Sequence, residues 1–131
     1  MKNTMNTTTA AEKINAQQAQ AMRKEQIEKI IKINGSFSAI LDPQSVTGYG
    51  NISTAYPHVT VWKTREGFFE VILETYSEWD TWYDYFGERR YICSPGKWTD
   101  DEGYHYFSTP TGFNEKDKKY VENLLNILSA E

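Results

Sequence analysis

The feature that constrains the fold most is a pair of alternating segments within residues 58–76, HVTVWKT and FFEVILETY, joined by the short segment REG. Alternation of apolar and polar residues is typical of strands with one buried face, and a short Gly-containing connection is typical of a hairpin. The second strand divides into two faces. One face carries Phe69, Val71, Leu73 and Thr75, and the other carries Glu70, Ile72, Glu74 and Tyr76. The first set predicts the core face.

The segments around this hairpin extend the prediction. SFSAIL (36–41) is a short strand, and DPQSVTGYGNISTAYP (42–57) is a loop rich in turn-forming residues. KWTDDEGYHYFST (97–109) is a second hairpin that turns between Asp100 and Gly103.

Two helices are predicted at the ends of this strand-rich region. Residues 10–34 are rich in Ala, Gln, Lys and Glu, contain no Gly or Pro, and end at Asn34 and Gly35. Ile27, Ile30 and Ile31 should pack on the domain, and if they do not, they would drive homo-oligomer formation. Behind a capping Asn114, the second helix carries an apolar stripe with acids in its first turn. The stripe consists of Val121, Leu124, Leu125 and Leu128, and the acids are Glu115 and Asp117.

The sum is an α+β fold with an N-terminal helix, a largely antiparallel β-sheet of about 5–7 strands and a C-terminal amphipathic helix packed on the sheet. We divide the chain into a disordered start (1–9), the N-terminal helix (10–34) and a single α+β domain (35–131).

Residues 77–86 are open to two interpretations. Ser77 could cap a short helix that ends at Gly87, with Asp80 completing the cap. Alternatively, TWYDYF and RRYIC are two strands around Gly87 and Glu88, which the density of aromatic residues favours.

Charge and cysteine content narrow the class of protein. Residues 1–35 carry six Lys or Arg against three Glu, whereas residues 36–131 carry eight basic and fifteen acidic side chains, so the body is acidic. An acidic body disfavours duplex nucleic acid. The single cysteine, Cys93, and the lack of any long apolar run indicate a soluble protein of a reducing, cytoplasmic compartment, not a membrane protein.

No catalytic or cofactor motif is present, so no cofactor is expected. There is no phosphate-binding glycine motif and no metal-ligand spacing, since His58 and His105 lie far apart and Cys93 is alone. Cys93 with His105 could form a catalytic pair only if the fold brought them together, and a small buried thiol is the commoner outcome.

Two features of the sequence remain unexplained: the spacing of the acids and the density of aromatic residues. From residue 66 to 88 every acid occupies an even position, which indicates an acidic stripe along one face of a strand, continued by Asp80, Asp84 and Glu88. Eleven of the nineteen aromatic residues lie between Tyr76 and Phe107, more than one small core absorbs easily. Exposed Tyr, Trp and Arg are typical of protein interfaces and also of stacking platforms for bases or sugars.

We therefore expect a non-enzymatic binding protein with a macromolecular partner that has a basic surface. A small phage or mobile-element inhibitor of a defence nuclease is one protein of this kind. The alternative is a single-stranded nucleic-acid or carbohydrate binding module that uses the same rings, and an enzyme built on His58, Cys93 and His105 comes third. The expected partner-binding residues are Glu70, Glu74, Glu78, Trp79, Asp80, Trp82, Tyr83, Asp84, Tyr85, Arg89, Arg90, Trp98, Tyr104 and Tyr106.

Overall fold

The computed structural model describes residues 22–48, 51–79, 82–100, 103 and 109–130, and at residues 48, 51, 77–79 and 82–87 the description covers the backbone. The elements are α1 (Lys24–Asn34), β1 (Phe37–Ile40), β2 (Gln44–Gly48), β3 (Asn51–Lys63), β4 (Phe69–Trp79), β5 (Trp82–Ser94), β6 (Lys97–Asp100) and α2 (Glu115–Leu128). All strand pairs are antiparallel, and the sheet runs in the order β1-β3-β4-β5-β6. The predicted α+β fold is confirmed.

The long strand β3 organises one side of the sheet. Its second half pairs with β1 and its first half with β2, so that two short strands share one edge. Pro57 lies at the junction between them, where its carbonyl accepts a hydrogen bond from Leu41 at 2.9 Å. The N–H and C=O of one antiparallel residue point to the same side, so the N–H that proline lacks faces the gap between β1 and β2.

The predicted hairpin is β3 and β4, and its faces are as expected. Thr64 to Phe68 close the turn, and Val61 pairs with Val71. Over residues 69–76, the odd-numbered side chains of β4 are buried: Phe69, Val71, Leu73 and Thr75. The even-numbered ones are half-exposed.

Both helices pack on the buried face of the sheet. Ile27 and Ile31 of α1, together with Val121, Leu124, Leu125 and Leu128 of α2, join one core with the inward residues of β1, β3, β4 and β5. Each fully buried Leu, Ile or Val contributes roughly 1.5–3 kcal/mol. Ile27 and Ile31 are buried in this core and Ile30 packs against it, as expected, and homo-oligomer formation through the N-terminal helix stays a prediction.

Each described helix has a defined end. Asn114 caps α2 by accepting a hydrogen bond from the Asp117 amide at 2.8 Å, as predicted. Gly35 ends α1 at a positive φ of 90°, and its amide donates to Ile31 at 2.7 Å. Neither described helix is long and apolar enough to cross a membrane.

Two details of the strand prediction are wrong. Residues 42–57 are not a loop, because β2 and the start of β3 form a hairpin in which Gly48 pairs with Asn51. The strand interpretation of residues 77–86 is confirmed at 77–79 and 82–86, the part of that segment that the structure describes. The turn predicted at Gly87 and Glu88 is wrong. Instead β5 runs unbroken through Gly87, and the register shifts by one residue opposite Thr75 and Tyr76.

Some predictions fall outside the described residues. These are the disordered start, residues 10–21 of the N-terminal helix and the second strand of the 97–109 hairpin. The described part of that helix begins at Lys24, after an extended Arg23.

Candidate functional site

The face of the sheet opposite the helices is the candidate site, and we call it the outer face. Antiparallel partners share a face, so alternation and register together define its members. They are Ser38, Ile40, Ser45, Thr47, Ile52, Thr54, Tyr56, His58, Thr60, Trp62, Glu70, Ile72, Glu74, Tyr76, Glu88, Arg90, Ile92, Ser94, Lys97 and Thr99. Most are half-exposed, and Trp62 is 45% exposed.

One half of the outer face is a shallow depression of about 630 Å³. Tyr56, His58, Glu74 and Tyr76 line it, and β1 contributes Ser38 and Ile40. The rings of His58 and Tyr76 lie 5.4 Å apart at 52°. The Tyr76 hydroxyl donates to Glu74 Oε2 at 3.0 Å.

The electrostatics of the depression are negative. Burial raises the pKa of Tyr76 above its ordinary value of 10.0, and the hydrogen bond to Glu74 and the charges of Glu74 and Glu88 raise it further. The phenol therefore stays protonated at neutral pH and remains a donor to Glu74.

The other half of the outer face is a hydrogen-bonded charge cluster. Arg90 Nε donates to Glu88, and Arg90 Nη1 lies 3.7 Å from Glu70 Oε2. The Trp62 indole N–H donates to Glu70 as well. The hydrogen bond to Glu88 raises the pKa of Arg90 above its ordinary value, so the guanidinium stays charged.

Of the expected binding residues, Glu70, Glu74 and Arg90 lie together on this face, whereas Arg89 and Trp98 lie on the helix-bearing side. Arg89 Nη1 is 3.7 Å from Oδ2 of the buried Asp100. Trp98 packs edge-on against Tyr91 at 5.6 Å, and its indole N–H donates to Asn126 of α2 at 3.2 Å. These two side chains stabilise the core side of the sheet.

Six further expected residues lie in the far end of the β4–β5 hairpin, where only the backbone is described. Tyr83 pairs with Glu78, Asp84 with Ser77, and Trp79 with Trp82. The remaining member, Tyr85, pairs with Tyr76. Asp80, Tyr104 and Tyr106 lie outside the described residues. Partner binding by these residues stays a prediction.

The register shift in β5 changes how the acidic stripe continues. Odd residues of β5 pair with odd residues of β4 as far as Thr75, and with even residues from Tyr76 onward. Glu88 therefore stands opposite Glu74, but Asp84 stands opposite Ser77, out of phase with Glu74 and Glu78.

Residues of β3 on the outer face were not among the expected binding residues. Tyr56, His58, Thr60 and Trp62 occupy every second position along YPHVTVW, and this alternation is the signal in the sequence that could have identified them. From the sequence alone, His58 is considered only as a metal ligand or catalytic residue.

The structure describes Cys93 and part of the set of possible metal ligands. Cys93 is buried, and desolvation raises its pKa to about 12, so it is a thiol and not a nucleophile at neutral pH. Across the described ranges, no group of three or more His, Cys, Asp or Glu side chains could hold a metal ion. His105 lies outside those ranges.

Comparison with known proteins adds no function. No family model matches this chain, and neither a curated protein nor a solved structure matches it.

Proposed function

We propose that the protein is a non-enzymatic binding protein whose outer face docks on a basic surface of a protein partner. The observation that carries the proposal is the separation of the two faces of one sheet. The helices bury one face, while the other presents Tyr56, His58, Trp62 and Tyr76 beside three carboxylates and one arginine. Such a face is rich in interface-type residues and is not needed to form the core.

The size of the outer face suits a protein partner. Five strands at ~4.8 Å spacing span roughly 20 Å, and residues 54–62 at ~3.3 Å each span roughly 26 Å, or about 500 Å² before side-chain relief. A standard interface uses about 800 Å² on each partner, so this face provides most of one.

The negative charge of the outer face favours a partner with a positively charged surface. Among the described members, three acids (Glu70, Glu74 and Glu88) outnumber two cations, and one of these, Lys97, lies at the far corner opposite Ser94. Basic surfaces are typical of proteins that handle nucleic acid. Inhibition of a cytoplasmic defence nuclease by a phage or mobile-element protein is the narrower form of this proposal, and it stays a prediction.

Affinity capture with paired variants tests the proposal. The outer-face variant combines Trp62→Ala with Glu74→Lys, and the control combines Ile127→Ala with Glu122→Lys on α2. Both remove one exposed apolar side chain and reverse one acid. We expect wild type and control to retain the same partner, and the outer-face variant to lose it.

Salt provides an independent check on the same complex. Affinity should fall as salt rises from about 0.05 to 0.5 M, because exposed charges are screened over a few ångströms at high salt. Equal retention by both variants, or salt-independent binding, would remove the basis of the proposal.

The alternative is that the same rings stack on single-stranded bases or on sugars. It is favoured by the exposure of Trp62 and by the ring pair His58 and Tyr76. Titration with mixed-sequence single-stranded DNA and RNA, followed by tryptophan fluorescence, separates the two. Saturable quenching that weakens with salt would support nucleic acid, and an unchanged signal supports the protein partner.

A further inference from the structure

Four side chains form a compact block on the outer face. The β3–β4 register sets Tyr56 directly opposite Tyr76 and His58 directly opposite Glu74. Directly opposite side chains in an antiparallel pair have Cβ atoms about 5 Å apart, so the four groups surround one small volume. They line the same 630 Å³ depression, whose Tyr76 hydroxyl is already committed to Glu74.

Among the described side chains, acids outnumber bases on the side of this block toward β5. Glu74 pairs across the ladder with Glu88, and two like charges directly opposite each other destabilise a sheet. Arg90 contacts Glu88 and Glu70, so one guanidinium serves two carboxylates and Glu74 is the third acid. Because the repulsion between Glu74 and Glu88 lowers the stability of the free protein, a cation bound beside them would be stabilising.

We infer that the block of Tyr56, His58, Glu74 and Tyr76 receives an arginine side chain of the partner protein. The inference rests on the proposed function and names the group that the outer face recognises. The flat guanidinium stacks on tyrosine rings, while its N–H groups pair with Glu74 and relieve the repulsion from Glu88.

Arginine fits this block better than the other cationic or neutral groups. Lysine is a compact, strongly hydrated charge that gains less from ring faces. A neutral sugar could use the rings but would not offset the facing carboxylates. The face already holds one guanidinium between two carboxylates, because Arg90 contacts both Glu88 and Glu70.

Short peptides test the inference without knowledge of the partner. Hexa-arginine, hexa-lysine and hexa-glutamate are titrated into the ¹⁵N-labelled full chain at physiological salt, and amide chemical shifts are followed. We expect saturable shifts from hexa-arginine at residues 56–58 and 74–76, weaker binding of hexa-lysine and none of hexa-glutamate.

Two matched variants then separate the block from general attraction. Glu74→Gln and Glu122→Gln remove the same charge, but Glu122 is exposed on α2, on the other side of the sheet. Loss of a charged hydrogen bond should weaken hexa-arginine binding about tenfold in Glu74→Gln, and Glu122→Gln should change it by less than about twofold.

Several outcomes would overturn the inference. These are equal weakening by both variants, shifts that map away from the block, and shifts of the block by a neutral oligosaccharide or by single-stranded DNA. The inference can fail while the proposed function stands. If Trp62→Ala with Glu74→Lys still loses the captured partner while hexa-arginine leaves the block unchanged, the docking face stands and only its arginine pocket is withdrawn.

Discussion

Asp117 brings a carboxylate into the core at the first turn of α2, where its residue is 1% exposed. Burial raises its pKa above the ordinary value of 3.8 and the charge of Asp42 adds to this, while Lys116 and the Asn114 backbone oppose it. The folded protein thus holds this proton more tightly than the unfolded chain. The group favours folding at low pH, and that contribution is lost as the pH rises from about 3.8 through the folded pKa.

Replacing Asp117 by Asn should therefore remove this contribution to the pH dependence of the free energy of unfolding. We expect Asp117→Asn to be more stable than wild type at pH 7, because it removes the buried charge, and to lose that advantage near pH 4. Urea unfolding at the two pH values measures it. A variant that is equally destabilised at both would show that the carboxylate stabilises the helix start.

The second residue-scale prediction concerns Cys93, whose Sγ lies 3.8 Å from the Leu125 carbonyl beneath α2. With a pKa of about 12 and 2% exposure, it should react with a thiol reagent at pH 7 only when the protein unfolds. We expect slow native labelling and fast, stoichiometric labelling in denaturant. Rapid labelling in native buffer would contradict its burial and return a nucleophilic role to consideration.

Arg89 and Arg90 show how far the sequence alone assigns a side chain to one face of the sheet. They are adjacent, and both were expected to bind a partner, yet strand alternation sends them to opposite faces. Arg90 joins the charge cluster, and Arg89 offsets the buried Asp100. The alternation follows once residues 82–94 are known to form one strand, but the sequence left helix and strand open over residues 77–86.

At the scale of elements, the loop before α2 is locked against the sheet. Gly112 has a φ of 102°, and a Cβ placed there would lie 2.7 Å from Thr75 Cγ2 and 3.1 Å from Ala55 Cβ. Gly67, in the β3–β4 turn, has a similar φ of 89° but open space around it. Substitutions at these two glycines therefore distinguish the cost of backbone strain from the cost of close packing.

Alanine at each glycine measures the two contributions. Gly67→Ala should cost about 1 kcal/mol, the strain of a positive φ. Gly112→Ala should cost a further 1–3 kcal/mol or so, because the added methyl overpacks the contact with Thr75. Thermal unfolding of both variants is the measurement, and equal losses would show that the loop moves aside freely.

Element boundaries were predictable where their causes are local. The REG turn, the alternation of β4, Gly35 after α1 and Asn114 before α2 all act within a few residues. The hairpin of β2 and β3 was missed because turn-forming residues dominate 42–57. The register shift near Gly87 depends on pairing across two strands, which no local pattern specifies.

At the scale of the whole molecule, the sheet has one face that forms the core and an outer face that we propose binds a partner. The sequence identified the acids and aromatics of β4 and β5, but it did not show that β3 adds Tyr56, His58 and Trp62 to the same face. Cross-strand neighbours are distant along the chain: His58 and Glu74 are opposite each other in the β3–β4 ladder. The outer face is thus a property of topology.

The most direct test of this separation compares unfolding free energy with partner retention in two variants. Trp62→Ala with Glu74→Lys alters the outer face, and Leu73→Ala alters the buried face of the same strand. We expect the first to unfold within about 0.5 kcal/mol of wild type yet lose the partner. Leu73→Ala should lose about 2–5 kcal/mol but retain the partner while folded. If the outer-face variant is destabilised as much as Leu73→Ala and keeps its partner, the outer face is a second packing layer, and the proposed function is wrong.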